Sequence, residues 1–421
     1  MFKKNALLQT LFSLKGNPKA CVYTEPLWGI PHSLYSPFVS VYMAALLMTD
    51  RQIGLVASVT MFFRAISALL SGAITDKLGR RKATIIFDIL SWSVPCLIWT
   101  FSQNFWWFMA ASVFNGLWQI TENSWTCLLV EDADKSAMVN IYSWVHMSGQ
   151  LAVFFAPLSG LIVGKLTIIP AMRILYFFSF VSMTLKFLIL YKFCDETQVG
   201  KIRKKETEGM SIFQIMSGYG GIVRQVAASG EMKLSLAITA FFMVTSMVMQ
   251  NFFGLYTTQN LGVPEHFLAL FPIIRSAILM VFLFVIQPRL ARFGFKGPML
   301  TGICLYIASH LVLIVSPTGN IVMPILYTAL EACAHGLVMP RKDSISAMFI
   351  EPKERARIVS VMTVAVLGVT IPFGYISGWL SDWNRKLPFL LNIAIFILAF
   401  AVILTSRKLS KSHISKIAAK G

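Results

Sequence analysis

The stretch that decides the fold is Gly72-Ala73-Ile74-Thr75-Asp76-Lys77-Leu78-Gly79-Arg80-Arg81-Lys82, a charged turn between two long apolar segments. Its basic side chains are packed densely, whereas the residues on both sides of it are mostly hydrophobic. Basic residues beside a membrane span hold that end of the span in the cytoplasm. The turn therefore predicts two membrane-spanning helices that are joined on the cytoplasmic side.

The composition extends this prediction to the whole chain. Of 421 residues, 56% are hydrophobic and only 13% are charged, and the mean hydropathy is +0.68. Soluble domains carry about 25% charged residues. The net charge of +18 lies at span ends and in one central loop. We therefore expect an all-α integral membrane protein whose electrostatic partner is anionic lipid, and no nucleic acid.

Apolar segments of sufficient length recur along the chain, since a span needs about 20 mostly apolar residues. On that basis twelve spans are predicted, at 27–48, 52–74, 83–102, 105–129, 139–164, 169–191, 232–256, 267–287, 297–316, 321–341, 356–380 and 387–406. The predicted domains are a cytoplasmic amphipathic segment at 1–26, a six-helix bundle at 27–191, a cytoplasmic linker at 192–231, a second bundle at 232–406 and a basic cytoplasmic tail at 407–421.

The distribution of Lys and Arg fixes the expected orientation. With the N-terminus inside, 29 of the 37 basic residues lie in cytoplasmic segments, 5 lie on the opposite side and 3 lie within spans. Such a bias is typical of the positive-inside rule. We therefore expect both termini in the cytoplasm.

The two halves of the chain are weakly similar to each other. With a shift of 220 residues, the end of span four matches the end of span ten. The matching pairs are Gly116 with Gly336, Leu117 with Leu337, Ser124 with Ser344, Glu131 with Glu351 and Val139 with Val359. The match favours two related six-helix sets.

The order of residues in the charged turn resembles the loop between helices two and three of the major facilitator superfamily of transporters. The order is Gly72, three residues, Asp76, a base, one residue, Gly79 and two bases. The resemblance implies a fold of two parallel six-helix repeats, and a transporter in which these two bundles rock around a central site.

The same resemblance assigns roles to the turn as a gating latch. Asp76 would face the N-terminus of helix eleven, where free backbone amides favour an anion. Arg80 would pair with an acid at the end of helix four, which is the place of Glu131. The latch, which also includes Gly72, Gly79 and Arg81, would hold the outward-open state and break when the cytoplasmic side opens.

Four charged residues lie deep within predicted spans, where an ionisable side chain is costly. At 1.5 Å per residue, Arg64, Glu122 and Glu331 lie about 18, 13 and 15 Å from the cytoplasmic ends of their spans. Arg275 lies deeper and is roughly symmetry-related to Arg64. Two interpretations remain open: these side chains bind protons or substrate, or they form structural ion pairs.

Polar and aromatic residues at helical spacing accompany these charges and indicate an internal cavity. The candidate substrate or proton site comprises Trp28, His32, Arg64, Asn115, Trp118, Gln119, Glu122, His146, Gln250, Arg275, Tyr327, Glu331 and His335. In the family that the turn resembles, helices one, four, seven and ten line the central cavity, and four of the polar stripes lie on those helices.

Two further ionisable residues are assigned to the membrane boundary. Lys186 is six residues from Lys192, and a long lysine side chain can extend from that depth to the interface. Asp88 is close to Lys82 and is expected to belong to the inner charge cluster. The six cysteines include no CxxC pair, so we expect small core residues, with no disulfide and no metal site.

These observations predict a secondary active transporter of a small organic molecule in the cell membrane, working by alternating access with protons as the coupling ion. Antiporters of the family carry a Gly- and Pro-rich helix five, and the stretch 149–160 matches it partly, with Ala152 and Ala156 in place of glycines. The sequence therefore favours efflux. Proton-linked uptake of a sugar or other nutrient is one alternative, and a transporter-like sensor or lipid-handling protein is another.

Other functional classes lack support in the sequence. It contains no nucleophile–base pair, metal-ligand cluster or phosphate-binding glycine loop, so we expect neither an enzyme nor a bound cofactor. No ATP-binding motif is present either, so the energy source must be an ion gradient or the substrate's own gradient. The expected partners are the substrate, protons and membrane lipids, and the expected state is a monomer.

Overall fold

The computed structural model describes residues 6–134, 137–216, 219–290, 293–348 and 355–406, and these residues are almost entirely helical, without β-strands. Glu351, the predicted repeat partner of Glu131, lies outside the described residues. The predicted basic tail at 407–421 also lies outside them.

Twenty-two α-helices follow one another in the described chain. They are α1 (Ala6–Ser13), α2 (Gly16–Thr24), α3 (Pro26–Tyr35), α4 (Val39–Ala45), α5 (Asp50–Leu78), α6 (Arg80–Asp88), α7 (Val94–Phe101), α8 (Phe105–Asn115), α9 (Trp118–Val130), α10 (Met138–Val153), α11 (Ala156–Leu166), α12 (Ile168–Phe193), α13 (Gln198–Glu206), α14 (Ile212–Ile215), α15 (Tyr219–Ala228), α16 (Gly230–Leu255), α17 (Leu270–Val281), α18 (Gln287–Leu290), α19 (Lys296–Ile314), α20 (Val322–Met348), α21 (Arg355–Trp383) and α22 (Leu387–Thr405).

Within the described ranges, nine helical segments are long and apolar enough to cross a membrane. They are Asp50–Leu78, Arg80–Phe101, Asn140–Leu166, Ile168–Phe193, Gly230–Asn260, Lys296–Ile314, Val322–Ser346, Ile358–Trp383 and Leu387–Thr405. Each of them overlaps one of the twelve predicted spans. The apolar pattern therefore predicted the type and place of these elements correctly.

The three remaining predicted spans are helical but interrupted. In the first, α3 and α4 are separated by a 3₁₀ turn at Ser36–Phe38, because Pro37 lacks an amide hydrogen and disfavours helix before it. In the fourth, α8 and α9 are separated by Gly116 and Leu117. In the eighth, a π-helical turn at Phe282–Ile286 lies between α17 and α18.

The described residues form two compact units, one made of residues within 1–36 and 59–218, and the other of residues within 37–58 and 219–421. In the first unit, α12 packs against α3, α6 and α7. The Tyr176 ring lies 4.9 Å from Tyr35 and 5.2 Å from Trp99, centroid to centroid. Since lipid is as apolar as these rings, close van der Waals packing holds the helices together.

The N-terminal helices α1 and α2 belong to the first unit. Leu14 and Cys21 are buried in one apolar cluster with Leu128, Ile141 and Leu190. This cluster connects the N-terminal segment to α9, α10 and the end of α12, so the segment packs on protein along one side.

Two polar contacts attach α2 to the residues that follow α12. Asn17 Nδ2 donates to the Asp195 carbonyl oxygen at 2.9 Å, and the Asp195 amide donates to Asn17 Oδ1 at 2.8 Å. A hydrogen bond between the thiols of Cys21 and Cys194, together with burial, raises the pKa of Cys21 well above its ordinary value. Cys21 therefore remains a protonated thiol at neutral pH.

In the second unit, α19 packs against α20 and α22. The Tyr306 and Phe396 rings stack with their centroids 4.7 Å apart. One turn from Tyr306, the buried His310 ring lies with Nδ1 at 2.9 Å from the Tyr306 carbonyl oxygen and Nε2 at 3.2 Å from Asn392 Nδ2. Nδ1 is therefore the donor and Nε2 the acceptor, and His310 fastens α19 to α22.

Residues 37–58 contribute a polar cluster to the second unit. The Asp50 carboxylate accepts hydrogen bonds from Ser381 Oγ at 2.6 Å and from Arg385 at 2.9 and 3.2 Å. Its side chain is 5% exposed, and as the first residue of α5 it also favours the positive end of the helix dipole. Beside it, Arg51 pairs with Asp382 at 3.4 Å, and both of these side chains are more exposed.

We expect Asp50→Ala to lower the free energy of unfolding by about 2 kcal/mol, because it leaves Arg385 and Ser381 without their shared acceptor. The matched control is Asp382→Ala, which should cost about 0–1 kcal/mol because its ion pair is exposed. Apparent melting temperatures of the purified variants in detergent measure both effects. Equal melting temperatures for the two variants would contradict this account.

Candidate functional site

The charged turn between α5 and α6 has a backbone that only glycine adopts readily. Gly79 has a φ of +85°, and a Cβ atom there would lie 2.3 Å from Glu196 Oε2. The Glu196 carboxylate accepts the amide hydrogens of Arg80 at 2.9 Å and Arg81 at 3.3 Å. Since these are the first amides of α6, the carboxylate caps the positive end of that helix.

Arg80 lies at the centre of a group of three carboxylates that we name the inner charge clasp: Asp76, Glu131 and Glu196 around Arg80. Arg80 Nη1 donates to Asp76 Oδ1 at 2.8 Å, and Arg80 Nε lies 3.1 Å from both Glu131 oxygens. The Arg80 side chain is 6% exposed. Thr197 Oγ1 also donates to Glu131, at 2.5 Å. A planar guanidinium suits such a site, because it presents several donors in fixed directions.

The other predicted latch residues lie near the clasp. The Arg81 guanidinium lies 4.9 Å from the centroid of the Tyr191 ring and donates to the Tyr191 carbonyl. Gly72 lies in α5 one helical turn before Asp76. The expected role of Asp76 at the start of helix eleven stays a prediction, and residues 349–354 before that helix lie outside the described residues.

Sequence reasoning did not identify Glu196. It lies 116 residues after Arg80, in the segment that was assigned to the cytoplasmic linker. No local pattern marks it, because its role depends on where the chain returns after α12.

The deep polar residues of the first unit form a site around Arg64. Its guanidinium lies 4.1 Å from the centroid of the Trp118 ring, and Arg64 Nε donates to Gln119 Oε1 at 3.1 Å. Gly116 permits this contact, because a Cβ atom there would lie 2.5 Å from Phe63 Cβ. The α5 backbone can therefore approach α9 closely enough for arginine to stack on tryptophan.

Glu122 lies one turn beyond Trp118 on α9 and is exposed. It interacts electrostatically with Arg64, but in the described part of the chain its carboxylate belongs to none of the close ion pairs. A carboxylate that is accessible and faces a stacked arginine can bind a proton or a positively charged group.

Trp28 and His32 lie on an aromatic surface within the first unit. Their rings stack 4.8 Å apart, and the Trp92 ring contacts Trp28 edge to face at 5.0 Å. Trp92 also lies 6.2 Å from Trp118, so the aromatic rings of α3 are connected to the Arg64 site. Trp92 belongs to a π-helical turn, Ile89–Ser93, a feature that is frequent at functional sites.

The second unit contains a corresponding site around Arg275. Arg275 Nε donates to Glu331 Oε2 at 2.8 Å and Arg275 Nη2 to Glu331 Oε1 at 3.4 Å, which gives a two-bond ion pair. Arg275 Nη2 also lies 2.9 Å from His335 Nδ1, and Tyr306 Oη lies 3.3 Å from the same nitrogen. An arginine can only donate, so His335 Nδ1 is an acceptor and the ring is not protonated there.

The remaining predicted site residues are placed as follows. Asn115 Nδ2 donates to the Ser91 carbonyl oxygen at 3.0 Å. Tyr327 is buried and stacks on Phe253 with the centroids 5.3 Å apart. His146 and Gln250 are exposed. The structure therefore brings Arg64 together with Trp118 and Gln119, and Arg275 with Glu331 and His335, while Asn115 and Tyr327 have contacts within the helix packing.

The expectation that Lys186 extends to the membrane interface is wrong. Its side chain is 6% exposed, and Lys186 Nζ lies 2.8 Å from Glu25 Oε2. Glu25 comes immediately before α3 and is itself buried. The pairing prevails over extension to the interface because it neutralises both charges, whereas an unpaired buried charge is costly. Glu25 was not identified from the sequence, since it precedes the first predicted span.

We expect Arg80→Ala to lower the free energy of unfolding by about 3–5 kcal/mol, because it removes the buried guanidinium that pairs with Asp76 and Glu131. Arg80→Lys should lower the free energy of unfolding less than Arg80→Ala does. A lysine keeps the positive charge but lacks the planar guanidinium that donates to two carboxylates at once. The measurement is the apparent melting temperature in detergent.

The matched control is Arg203→Ala. Arg203 forms an exposed pair with Glu206, at side-chain exposures of 55% and 53%, so its loss should cost about 0–1 kcal/mol. A melting temperature for Arg80→Ala as high as that of Arg203→Ala would show that the clasp does not stabilise the fold.

Among curated proteins, the chain is similar to two relatives over a short region. The multidrug resistance protein MdtG of Serratia proteamaculans (strain 568) is 34% identical over 96 residues, which are 22% of this chain and 23% of that protein. The MdtG of Rahnella sp. (strain Y9602) is 32% identical over 96 residues, with the same coverage. The chain thus covers about a quarter of the length of the curated relatives that it matches.

Solved structures resemble this one over nearly the whole chain. The nucleoside transporter NupG superposes with a TM-score of 0.69 at 14% sequence identity. The superposition covers 93% of this chain and 100% of the NupG chain. The peptide transporter POT in complex with sulfate gives 0.67 at 13% identity, with 99% of each chain covered. A bacterial homologue of the human lysosomal transporter Spinster superposes with a TM-score of 0.67 at 14% sequence identity. The superposition covers 94% of this chain and 97% of that protein. At these identities the likeness shows the fold alone.

A match to a protein-family sequence model shows which family the chain belongs to. The model described as Major Facilitator Superfamily matches residues 29–364, which is most of the chain and includes both charged sites. The chain therefore belongs to the major facilitator superfamily, and its long apolar helices are those of a multi-pass membrane protein.

Proposed function

We propose that the protein is a secondary active transporter that exports a small organic molecule by alternating access in exchange for protons. The observation that carries the proposal is a pair of deep charged sites, one in each unit. Each site contains an arginine from the second span of its half and a glutamate from the fourth. These residues are Arg64 and Glu122 in the first unit, and Arg275 and Glu331 in the second. Ionisable residues inside membrane spans are typical of proton and substrate pathways.

The proposed topology has twelve spans with both termini in the cytoplasm. Nine spans are the long apolar segments already described, and the other three are the pairs α3 with α4, α8 with α9, and α17 with α18. A pair such as α8 with α9, from 105 to 130, has the length of a full span at about 1.5 Å per residue. The bias of basic residues toward one side supports the orientation.

The geometry of the two sites supports different roles for the two glutamates. Glu331 is held by two hydrogen bonds from Arg275, and its side chain is 15% exposed. Glu122 is exposed and lies outside the close ion pairs of the described residues. We therefore assign to Glu122 the exchange of a proton for a substrate cation, and to Glu331 and Arg275 the fixed polar wall of the second unit.

The chemistry beside Glu122 supports an organic cation with a flat ring as the substrate class. An indole face at Trp118 is already occupied by a guanidinium, and such a face attracts cations in general. The partial likeness to the multidrug resistance protein MdtG supports efflux. Nutrient uptake is the competing proposal, since the structural neighbours include proteins named as nucleoside and peptide transporters.

The test uses inverted membrane vesicles that contain the protein and are loaded with an imposed proton gradient, acidic inside. We expect ethidium, a flat organic cation, to accumulate inside them in exchange for protons. Glu122→Gln should reduce the accumulation to the level of vesicles without a gradient, because the exchangeable carboxylate is absent.

The matched control is Glu206→Gln, a change at an exposed glutamate of α13, which should leave accumulation unchanged. Gradient-driven loss of ethidium from the inverted vesicles would instead favour uptake. Accumulation in Glu122→Gln equal to that of the unmodified protein would refute the role of Glu122.

A further inference from the structure

A second group of buried ionisable side chains lies in the first unit at the place where α3, α6 and α12 meet. It consists of Glu25, Asp88 and Lys186, which we call the buried triad. Their exposures are 9%, 6% and 4%. Lys186 Nζ lies 2.8 Å from Glu25 Oε2, and Asp88 interacts electrostatically with both residues.

Two indole rings lie close to the Lys186 ammonium group. Lys186 Nζ lies 5.5 Å from the centroid of the Trp125 ring and 6.0 Å from that of Trp28. These rings stabilise the ammonium group by cation–π attraction. They supply no hydrogen-bond acceptor, so Lys186 depends on carboxylate oxygens for its strong interactions.

The charges of the buried triad do not balance when all three groups are ionised. Two carboxylates accompany one ammonium, and a buried excess of negative charge is costly. The other ionisable group that faces Asp88 is Glu122, a further carboxylate whose own electrostatic partner is Arg64. Neutrality therefore requires one added proton.

The ion pairs around the triad show where that proton belongs. Lys186 forms its close ion pair with Glu25, and in the described part of the chain Asp88 belongs to none of the close ion pairs. Asp88 is therefore the buried carboxylate without a cation within about 4 Å, and the added proton belongs on it.

From this geometry we propose that the buried triad is a proton-binding site in which Asp88 holds one proton while Lys186 is paired with Glu25. On release, the O–H bond of Asp88 breaks, the proton passes to the aqueous phase and the triad changes from neutral to a net charge of −1. Lys186 is then shared between two carboxylates, which alters the contact between α3 and α12. The π-helical turn at Ile89–Ser93 begins directly after Asp88, and such a turn is a natural place for α6 to adjust.

This inference deepens the proton coupling proposed above and rests on it for its role in transport, but its test needs no substrate. Infrared spectra of the purified protein at neutral pH report protonated carboxyl groups through their carbonyl-stretch band. We expect this band in the unmodified protein and its loss in Asp88→Asn, whereas the exposed control Glu206→Gln should retain it. Asp88→Asn should also keep the melting temperature of the unmodified protein, since asparagine resembles a protonated aspartate in shape and charge.

Glu25→Gln gives an independent prediction, because it leaves Asp88 in place but removes the carboxylate that pairs with Lys186. Without the Glu25 carboxylate, Lys186 turns to Asp88, which then releases its proton to form the ion pair. The band should therefore disappear in this variant although Asp88 is still present. Retention of the full band in Glu25→Gln would overturn the proposed linkage.

Identical band intensity in Asp88→Asn and the unmodified protein would overturn the proposal itself. If Asp88→Asn does not yield folded protein, isotope labelling of the aspartates in the unmodified protein decides. A band that shifts with the label supports the site, and one that does not shift refutes it. The two proposals can fail separately. If the carbonyl-stretch band belongs to Asp88 but the protein does not transport ethidium, the proton site is correct and the proposed transport function is wrong.

Discussion

Charge inside an apolar helix bundle must be neutralised within a few ångströms, and this constraint shapes most of the charged sites described above. Arg80 is surrounded by Asp76, Glu131 and Glu196, and Lys186 is paired with Glu25. Each of these groups joins elements that are far apart in sequence. Because lipid provides no hydrophobic force between helices, such polar contacts and close packing decide which helices meet.

Glu122 is the exception to this rule, and the contrast with Glu331 is informative. Both units carry an arginine and a glutamate that interact within their long helices, yet only Arg275 and Glu331 form a close ion pair. In the first unit the Arg64 guanidinium stacks on Trp118 instead. An accessible carboxylate beside a stacked arginine has a charge to offer to a ligand, whereas the closed pair of the second unit does not. Two sites with a common plan therefore differ in chemistry.

The charged turn was the most informative part of the sequence. It identified the family correctly, and the apolar pattern placed the long helices, because both signals are local and depend on residue type. The turn also pointed to Asp76, Arg80 and Glu131, which the structure brings together. Glu196 and Glu25 carry no such signal. The assignment of Lys186 to the interface was wrong. The sequence gives the distance of Lys186 from the end of its helix, but it does not reveal that Glu25 faces Lys186 across the bundle.

The amino-acid sequence by itself determined that this is an α-helical membrane protein of the major facilitator superfamily, since hydropathy, basic residues and the motif of the turn are properties of consecutive residues. Only the tertiary structure decided which carboxylate meets which base. Ion pairing depends on atoms within about 4 Å of each other, and the ion-pair partners described above are between 3 and 335 residues apart along the chain. That distance is set by helix packing, which one-dimensional patterns do not contain.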